Sequence, residues 1–489
     1  MSNTGEKNTS HEQLDYKKAI ALQTYEYFEG GPDQKTAIAN FIDKKSKNLD
    51  LKYPSLESGV IDRFVSVLHQ EVATTPDAIA TSEYRLAEAY FLQAARRINR
   101  KERVHSQEVI DNFQLLNEAI YGKPDEVVVN QMLTQIWDRL DTVKSPAAAT
   151  ILEQLKSGYA LSFGDGESVP IPVLPRPEVS SDNRESLPIL EDETIEWLKD
   201  SVSKRYGVAQ EIFNKYFNEN ETPEGVDACH IAELFESAIA EMGLDVAVIQ
   251  REDVSALSWS SADQAVIVGL DRKPIKTPEE LFGLFVHEVG VHGVRSTLGS
   301  STGVDALGVG LFTEADSGED PSYLTFEEGL ASTLQLASQG KKESWNVAGM
   351  GLYLTVAFAH MGWSPRQIQE VMSNVRIALG ASEADVVISE EKVNKAQVAA
   401  ATHVRRIFRG TPAGEELKTS DGVTLHYAKD LAYAAGKVKA IEYLNNLSKL
   451  NESERERMFD ILLSAKYDPT NTVQAKIVES VQANGRVEE

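Results

Sequence analysis

Cysteine is almost missing from this sequence of 489 residues, which contains a single one, Cys229. One cysteine excludes an internal disulfide and a zinc cluster built from thiolates, and it fits a reducing compartment. Cys229 stands in the run DACHIAELF, which is typical of the start of an amphipathic helix. We therefore expect this side chain to pack rather than to act as a nucleophile.

Basic residues are also scarce. The chain has 49 Lys and Arg against 75 Asp and Glu, which gives a formal net charge of -26. Such an excess repels polyanions over roughly 8–10 Å in ordinary salt. The charge therefore argues against nucleic acid and anionic membranes as partners. The densest basic run, from Arg96 to Arg103, is interpreted as the solvated end of a helix.

Long apolar runs and a secretory signal are lacking too. No stretch reaches the ~18–20 apolar residues that span a bilayer. The first residues, MSNTGEKNTSHEQ, are polar and do not resemble a signal peptide. We therefore expect a cytoplasmic protein that makes no membrane contact.

The length predicts more than one domain, because a single hydrophobic core rarely grows beyond ~250–300 residues. We expect a disordered tail at 1–15 and a helical region at 16–163, where apolar residues recur at three- and four-residue spacing. Residues 164–191 hold five prolines and no periodicity, which is typical of a linker. Residues 192–489 then form the domain that carries the chemistry.

The pattern of this second region predicts an α+β fold that is predominantly helical. Two β-like runs, VAVIQ at 246–250 and QAVIVGL at 264–270, indicate a small sheet ahead of a strong helix that starts at 278. Apolar periodicity predicts further helices at about 192–217, 229–243, 325–338, 344–361, 365–379, 390–408, 428–447 and 452–465.

The most informative segment is TPEELFGLFVHEVGVHGVRSTLG, at 277–299. Its helix-start signals are complete, with Thr277 as N-cap, Pro278 at the first helical position and Glu280 three residues after the cap. Gly299 fits the end of the helix. We therefore predict one long helix over this segment.

Within this helix Glu288 follows His287, and a second histidine, His292, comes five residues after the first. In an ideal α-helix that spacing separates two side chains by ~140°, too far for both rings to reach one ion. One extra residue taken up as a π-bulge restores a common face, and Gly290 tolerates the distortion. We therefore predict a widened turn at 288–291 that presents two histidine metal ligands. The alternative is two ordinary half-buried histidines beside a surface glutamate.

A tetrahedral catalytic zinc needs a third protein ligand, which must be His, Asp or Glu because no spare cysteine is near. Glu328 opens the next predicted helix and can supply it, and two imidazoles with one carboxylate suit zinc. The alternative is a capping box, in which Thr325 is the N-cap and Glu328 bonds backbone N–H. Competing carboxylates stand in a loop that we expect to be too mobile to fix a metal: Asp316, Glu319 and Asp320.

The run HEVGVHGVRS, followed some thirty-odd residues later by EEGLA, resembles the metallopeptidase family named for its QEGLA motif. That family includes the microtubule-associated tyrosine carboxypeptidases of vertebrates and many bacterial proteins. The resemblance implies a zincin-like metallopeptidase domain that holds one Zn²⁺ ion. It also implies His287, His292 and Glu328 as the ligands, with Glu288 as the catalytic glutamate.

Two positions depart from the family pattern. Val291 stands where the family usually has threonine, and Glu327 stands where it has glutamine. We expect neither residue to touch a proposed ligand. Weaker similarity continues through RRIFRGT at 405–411 and YAKDLAYAAGKV at 427–438. The resemblance thus covers most of the chain and is strong over about 277–335.

The expected reaction is metal-assisted hydrolysis, in which Glu288 takes a proton from the attacking water and later delivers it to the leaving amine. An extended substrate pairs with an edge strand, and QAVIVGL is the candidate, with a plain core strand as the alternative. A carboxypeptidase also needs a cation for the substrate's terminal carboxylate. Five basic residues are candidates for that role: Arg295, Arg405, Arg406, Arg409 and Lys429.

The resemblance also implies a substrate, namely a peptide or protein that loses one C-terminal residue, tyrosine or another aromatic. Docking on microtubules is not expected, because tubulin tails and this chain are both acidic. Two other classes of function stay open: a regulatory protein that binds a metal without catalysis, and a metal-dependent hydrolase of a substrate other than a peptide. Glu288 argues against the first, since a structural site has four ligands and needs no catalytic carboxylate.

Overall fold

A computed structural model describes residues 19–28, 30–31, 33–57, 59–71, 79–100, 105–164, 166–178, 186–220, 224–252, 254–313, 320–342, 345, 347–381, 383 and 387–485. The predicted tail at 1–15 lies outside these residues, as do Asp316 and Glu319. The described part is predominantly helical and holds two small sheets. This confirms the predicted helix-rich α+β class.

The first part of the chain forms helices and one β-hairpin. The helices are α1 (Gln34–Ile42), α2 (Val60–Glu71), α3 (Ile79–Ile98), α4 (Gln107–Tyr121), α5 (Glu126–Leu140) and α6 (Ala149–Ser157). The hairpin pairs β1 (Tyr159–Ser162) with β2 (Ser168–Ile171), and the sequence pattern does not predict it.

The second part adds a three-stranded sheet and twelve helices among the described residues. The strands are β3 (Ala247–Arg251), β4 (Leu257–Ser260) and β5 (Ala265–Gly269). The helices are α7 (Asp192–Glu219), α8 (Ala228–Glu241), α9 (Pro278–Phe285), α10 (Val294–Ser301), α11 (Asp305–Val309), α12 (Leu324–Ser338), α13 (Val347–His360), α14 (Pro365–Leu379), α15 (Glu390–Ile407), α16 (Leu431–Ser448), α17 (Glu452–Leu463) and α18 (Thr472–Gly485). The eight helices predicted from periodicity correspond to α7, α8 and α12–α17.

The start of the long motif helix is as predicted, because the Thr277 hydroxyl accepts a hydrogen bond from Glu280 N at 3.2 Å. The predicted end is wrong, since the helix continues to Ser301. Gly299 instead permits a close approach, because a Cβ there would lie 2.1 Å from Leu307 O. In a sequence, a glycine that close packing requires cannot be distinguished from a glycine that ends a helix.

The three-stranded sheet has the order β3-β5-β4, so β5 is its central strand. β3 pairs with β5 in parallel and β4 pairs with β5 in antiparallel register. Every residue of β5 is buried, which explains its unbroken apolar run. The expectation that QAVIVGL is an edge strand is therefore wrong, and the alternative of a core strand is confirmed.

The described parts of the predicted linker at 164–191 lie against the helices. Leu174, Leu187 and Leu190 are buried. The indole of Trp137 donates a hydrogen bond to Pro175 O at 2.8 Å. The indole of Trp345 donates one to Pro188 O, also at 2.8 Å. A proline has no backbone N–H to donate, but its carbonyl can still accept a hydrogen bond. Side-chain donors such as these indoles can therefore hold the extended segment against the helices.

Buried apolar side chains from Ala19 to Leu463 form one continuous core. A smaller cluster joins α11 and α17 to α18, through residues such as Leu307, Ile461 and Val478. The division of the chain into two domains stays a prediction. Among the helices of the described residues, none has the length and apolar composition needed to cross a bilayer.

Two glycines let α12 and α16 cross with their backbones in contact. A Cβ at Gly329 would lie 2.0 Å from the Gly436 carbonyl, and a Cβ at Gly436 would lie 1.9 Å from Thr325 O. Distances of this kind are impossible for any residue with a side chain. The crossing fixes the position of both helices beside the motif helix.

We expect Gly329→Ala to lower the free energy of unfolding by about 3 kcal/mol, since the new methyl group must displace main chain rather than a flexible side chain. Urea denaturation of the full chain measures this. The matched control is Gly207→Ala in α7, where a Cβ meets nothing within 4 Å. That substitution should raise the free energy of unfolding by about 0.5–1 kcal/mol. Equal stability of Gly329→Ala and the wild type would contradict the crossing.

Candidate metal centre

The helix that begins at Pro278 is π-helical from Val286 to Gly293, between α9 and α10. This confirms the predicted widened turn at 288–291. A π-turn holds more residues than an α-turn, so side chains five apart come to share one face. The Tyr206 hydroxyl of α7 donates to Gly290 O at 2.7 Å, and a Cβ at Gly290 would lie 3.0 Å from that ring. Glycine therefore lets α7 support the turn.

The two motif histidines meet on this face. Their ring centroids lie 5.1 Å apart. One donor atom from each of His287, Glu288 and His292 lies within 4.8 Å of the other two. No other trio of His, Cys, Asp or Glu side chains in the described part of the chain comes together in this way.

Helix α12 orients both imidazoles. His287 Nδ1 lies 2.9 Å from Gln335 Oε1, and His292 Nδ1 lies 2.9 Å from Glu327 Oε1. Both partners are acceptors, so in the neutral ring each Nδ1 carries the proton and each Nε2 keeps its lone pair. A metal-binding histidine is held in this manner in most known sites, and the donor set therefore fits a zinc ion.

Glu327 is the most heavily bonded carboxylate of the site and is almost fully buried. Besides His292 it binds the Arg295 guanidinium, and Lys466 Nζ lies 3.6 Å from its Oε1. Burial alone raises the pKa of a carboxyl. The positive charges of Arg295 and Lys466 outweigh that effect and lower the pKa of Glu327 to about 2. Glu327 is therefore a fixed negative charge behind His292.

Two expectations are corrected by these contacts. Glu327 does touch a proposed ligand, contrary to the prediction, because it bonds His292 directly. Arg295 is a poor candidate for binding the substrate carboxylate, since it is fully buried and donates to Glu327 and to Tyr467 O at 2.7 Å. A sequence motif does not reveal that Arg295 turns inward from the helix.

The Glu288 carboxyl is buried beside the histidines, and the backbone N–H of Trp259 in β4 donates to it. Burial raises the pKa of Glu288 to about 7, and the nearby charge of Glu328 adds to this, while His292 opposes it. A carboxyl whose pKa lies near neutrality can both accept and release a proton at neutral pH.

Glu328 lies on the same cavity as the histidines but is not a member of the close trio. It is half-buried on α12. The capping-box alternative is wrong, because α12 has Tyr323 as its N-cap and Thr325 already stands inside the helix. The Glu328 side chain therefore has no capping role.

The competing carboxylates do not approach the histidines within the described residues. Asp320 Oδ1 accepts from Ser322 N at 2.9 Å, and its other oxygen lies 3.5 Å from Lys439 Nζ. Asp316 and Glu319 lie outside the described residues. The Asp320 carboxylate therefore bonds the backbone of its own loop and pairs with Lys439, away from the cavity.

A cavity of about 440 Å³ opens over the trio. Segments far apart in sequence form its wall: the turn at Thr24–Phe28, helix α3, strand β4, the π-turn, α12, α15 and the turn at Ala428–Asp430. Aromatic rings contribute Tyr25, Trp259, Phe312, Tyr323 and Tyr433. The cavity is therefore partly aromatic, and polar around the histidines.

Four of the five predicted cations line this cavity, with Arg295 as the exception. Arg406 makes two hydrogen bonds to Asp430, at 3.1 and 2.8 Å, and Arg409 lies 3.6 Å from the same carboxylate. Arg405 makes no ion pair with another described residue, and burial together with its arginine neighbours lowers the pKa of its guanidinium. Lys429 Nζ rests 4.1 Å from the Tyr25 ring centroid, and burial lowers the pKa of Lys429 to about 8.

Strand β4, which the sequence pattern does not predict, is an edge of the sheet that borders the cavity. Its backbone N–H at Trp259 points to Glu288 rather than to β5. Residues that stand two apart on a strand direct their backbone N–H and C=O groups to the same side. Leu257, two residues before Trp259, therefore presents its N–H and C=O toward the cavity. An extended peptide can pair there.

Sequence reasoning missed several residues of the site. Gln335 is eight residues beyond Glu327 on the face of α12 that meets the π-turn, so helical periodicity carried a signal for it. Nothing in the sequence points to Lys466, because it follows α17, far along the chain from Glu327. The two residues come together only in the folded protein. Trp259 likewise depends on the unpredicted strand β4.

We expect Glu327→Gln to lower the free energy of unfolding by about 3 kcal/mol, because buried Arg295 and Lys466 lose their counter-charge. Zinc affinity should fall by roughly 10- to 100-fold, since His292 loses its anionic partner. The pKa of Glu327 is lowered from 4.5 to about 2. Its contribution to stability is therefore complete above about pH 4.5 and is lost as the pH falls toward 2.

The measurements are urea denaturation of metal-free protein between pH 2.5 and 7 and zinc titration at pH 7. Glu391→Gln is the control, because this carboxylate pairs with Lys395 at 2.8 Å on the surface, where both side chains are 75% exposed. It should change stability by less than about 0.5 kcal/mol. Equal pH profiles of Glu327→Gln and the wild type would rule out the charge network.

No family model, curated protein or solved structure matches this chain. Two histidines on a π-turn, each held by a side chain of α12, adjoin a buried carboxyl at the floor of a cation-lined cavity.

Proposed function

We propose that the protein is a zinc-dependent metallopeptidase of the carboxypeptidase type, with a zincin-like catalytic domain. The observation that carries the proposal is the π-turn, which brings His287 and His292 to 5.1 Å between ring centroids beside buried Glu288. A site with this donor set and a neighbouring carboxyl is suited to hydrolysis. The resemblance to QEGLA-motif peptidases supports the same function.

His287 and His292 would hold the ion through Nε2, and Glu328 would supply the third ligand from α12. Glu328 belongs to the same cavity wall as the two histidines. When bound, zinc would lower the pKa of water toward ~7 and polarise the scissile carbonyl. Glu327 and Gln335 keep the two imidazoles in the orientation that binding requires.

Glu288 is the proton carrier of the proposed reaction. It takes the proton that water loses on attacking the peptide carbonyl and gives it to the amine nitrogen when the C–N bond breaks. Burial, which brings the pKa of Glu288 to about 7, suits both transfers. Trp259 N–H holds the carboxyl in place from β4.

The cations of the cavity favour a chain end over an internal peptide bond. Arg405 makes no ion pair with another described residue, whereas the charge of Glu328 acts on Lys429. A substrate's terminal carboxylate can therefore lie beside Arg405 on the cavity wall. Arg406 and Arg409 share Asp430 and support this wall. The peptide before the scissile bond would extend along β4.

An aromatic C-terminal residue such as tyrosine is the proposed leaving group, because rings from several elements line the cavity. The partner is thus the C-terminus of a peptide or protein. Nucleic acid, membranes and acidic microtubule tails fit poorly with a net charge of -26. A cytoplasmic location is part of the proposal, since the chain has one cysteine.

We expect Glu288→Gln to keep zinc and to lose peptidase activity by at least about 10³-fold, because only proton transfer is removed. Glu328→Ala should instead lower zinc affinity by at least about 10-fold, since a ligand is lost. Zinc analysis and mass spectrometry of peptide C-termini measure both. The reverse result, with zinc lost from Glu288→Gln and kept by Glu328→Ala, would make Glu288 the ligand. No trimming by zinc-loaded wild type would favour a regulatory metal protein.

Arg405→Ala should lower kcat/KM for a peptide with a free C-terminus by roughly 10- to 100-fold, because a charge-assisted hydrogen bond to the carboxylate is lost. The same peptide with an amidated C-terminus should be cleaved equally poorly by the variant and the wild type. Arg63→Ala, which changes an exposed residue of α2, is the matched control. If Arg405→Ala keeps the full preference for the free acid, another cation binds the carboxylate.

A further inference from the structure

Tyr433 lies in α16 one turn before Gly436, the residue at which α16 meets α12. On α12 the contact residue is Gly329, and Glu328 stands immediately before it. The crossing therefore brings Tyr433 beside Glu328 on the wall of the cavity that also holds Glu288. The backbone contact leaves this arrangement little freedom.

The partner of Tyr433 is Arg406, which hydrogen-bonds the phenol oxygen and whose guanidinium lies 5.2 Å from the ring centroid. Arg406 is itself fixed by two hydrogen bonds to Asp430. A guanidinium can only donate, so the phenol oxygen accepts and its own O–H points elsewhere.

The phenol remains protonated at neutral pH. A tyrosine hydroxyl ordinarily loses its proton only near about pH 10. The other tyrosines of the cavity are placed differently: the Tyr25 hydroxyl donates to Gln23, and Tyr323 adjoins Arg85. Tyr433 is thus the neutral O–H donor that lies next to the proposed metal ligand.

We propose that Tyr433 is a catalytic residue that donates a hydrogen bond to the scissile carbonyl oxygen as negative charge develops on it. The inference rests on the proposed peptidase function. Water adds to the carbonyl carbon, the π electron pair moves to the oxygen, and Glu288 receives the proton. The oxygen then returns its pair, the C–N bond breaks and the proton passes to the amine. Tyr433 keeps its own proton throughout, so atoms and charge balance without it.

The test is Tyr433→Phe in the full-length, zinc-loaded protein. We expect kcat to fall on the order of 10²-fold, as for loss of one donor to a developing oxyanion, with KM changed less than about threefold. Zinc affinity should equal that of the wild type. Affinity for a peptide phosphonate, which imitates the tetrahedral adduct, should fall by a factor similar to that of kcat.

Tyr443→Phe is the matched control, since it makes the same change in the same helix on a residue that packs against Phe326 outside the cavity. It should leave every quantity unchanged. Zinc lost together with activity in Tyr433→Phe would show that the hydroxyl only positions Glu328, and an unchanged kcat would show that it does not act on the substrate. Either result overturns the inference while leaving the peptidase proposal intact. A wild type that holds zinc and cleaves no peptide overturns both.

Discussion

The buried charge of Glu327 is the interaction on which the rest of the centre depends. It joins α12 to His292 on the π-turn, to Arg295 on α10 and to Lys466 beyond α17. Three parts of the chain are thereby oriented by one carboxylate that water does not reach. Because charges in such surroundings are costly to leave unpaired, the arrangement holds His292 in a single orientation before any ligand arrives.

The local features of the site could be predicted from sequence. The five-residue spacing of His287 and His292 required a π-turn, and a complete set of start signals placed the helix that contains it. Both depend on neighbours along the chain, which a single sequence displays. The helix-rich class followed from periodicity for the same reason.

The long-range features could not be predicted. The inward turn of Arg295, the reach of Lys466 to Glu327 and the edge position of β4 all arise from packing between distant segments. An unbroken apolar run such as that of β5 does not show whether the strand is central or at the edge of its sheet. The motif makes Glu328 a proposed ligand, yet its distance from the histidines is a property of the fold.

The glycine pair at the crossing of α12 and α16 has a consequence for how this cavity can vary. Where helices meet through side chains, a change of rotamer or residue size shifts the two axes. Here main chain rests on main chain, so the separation of the two helices is insensitive to mutation on their other faces. The part of the wall built from the Thr24–Phe28 turn and α3 can change its shape while the part built from α12 and α16 keeps its dimensions.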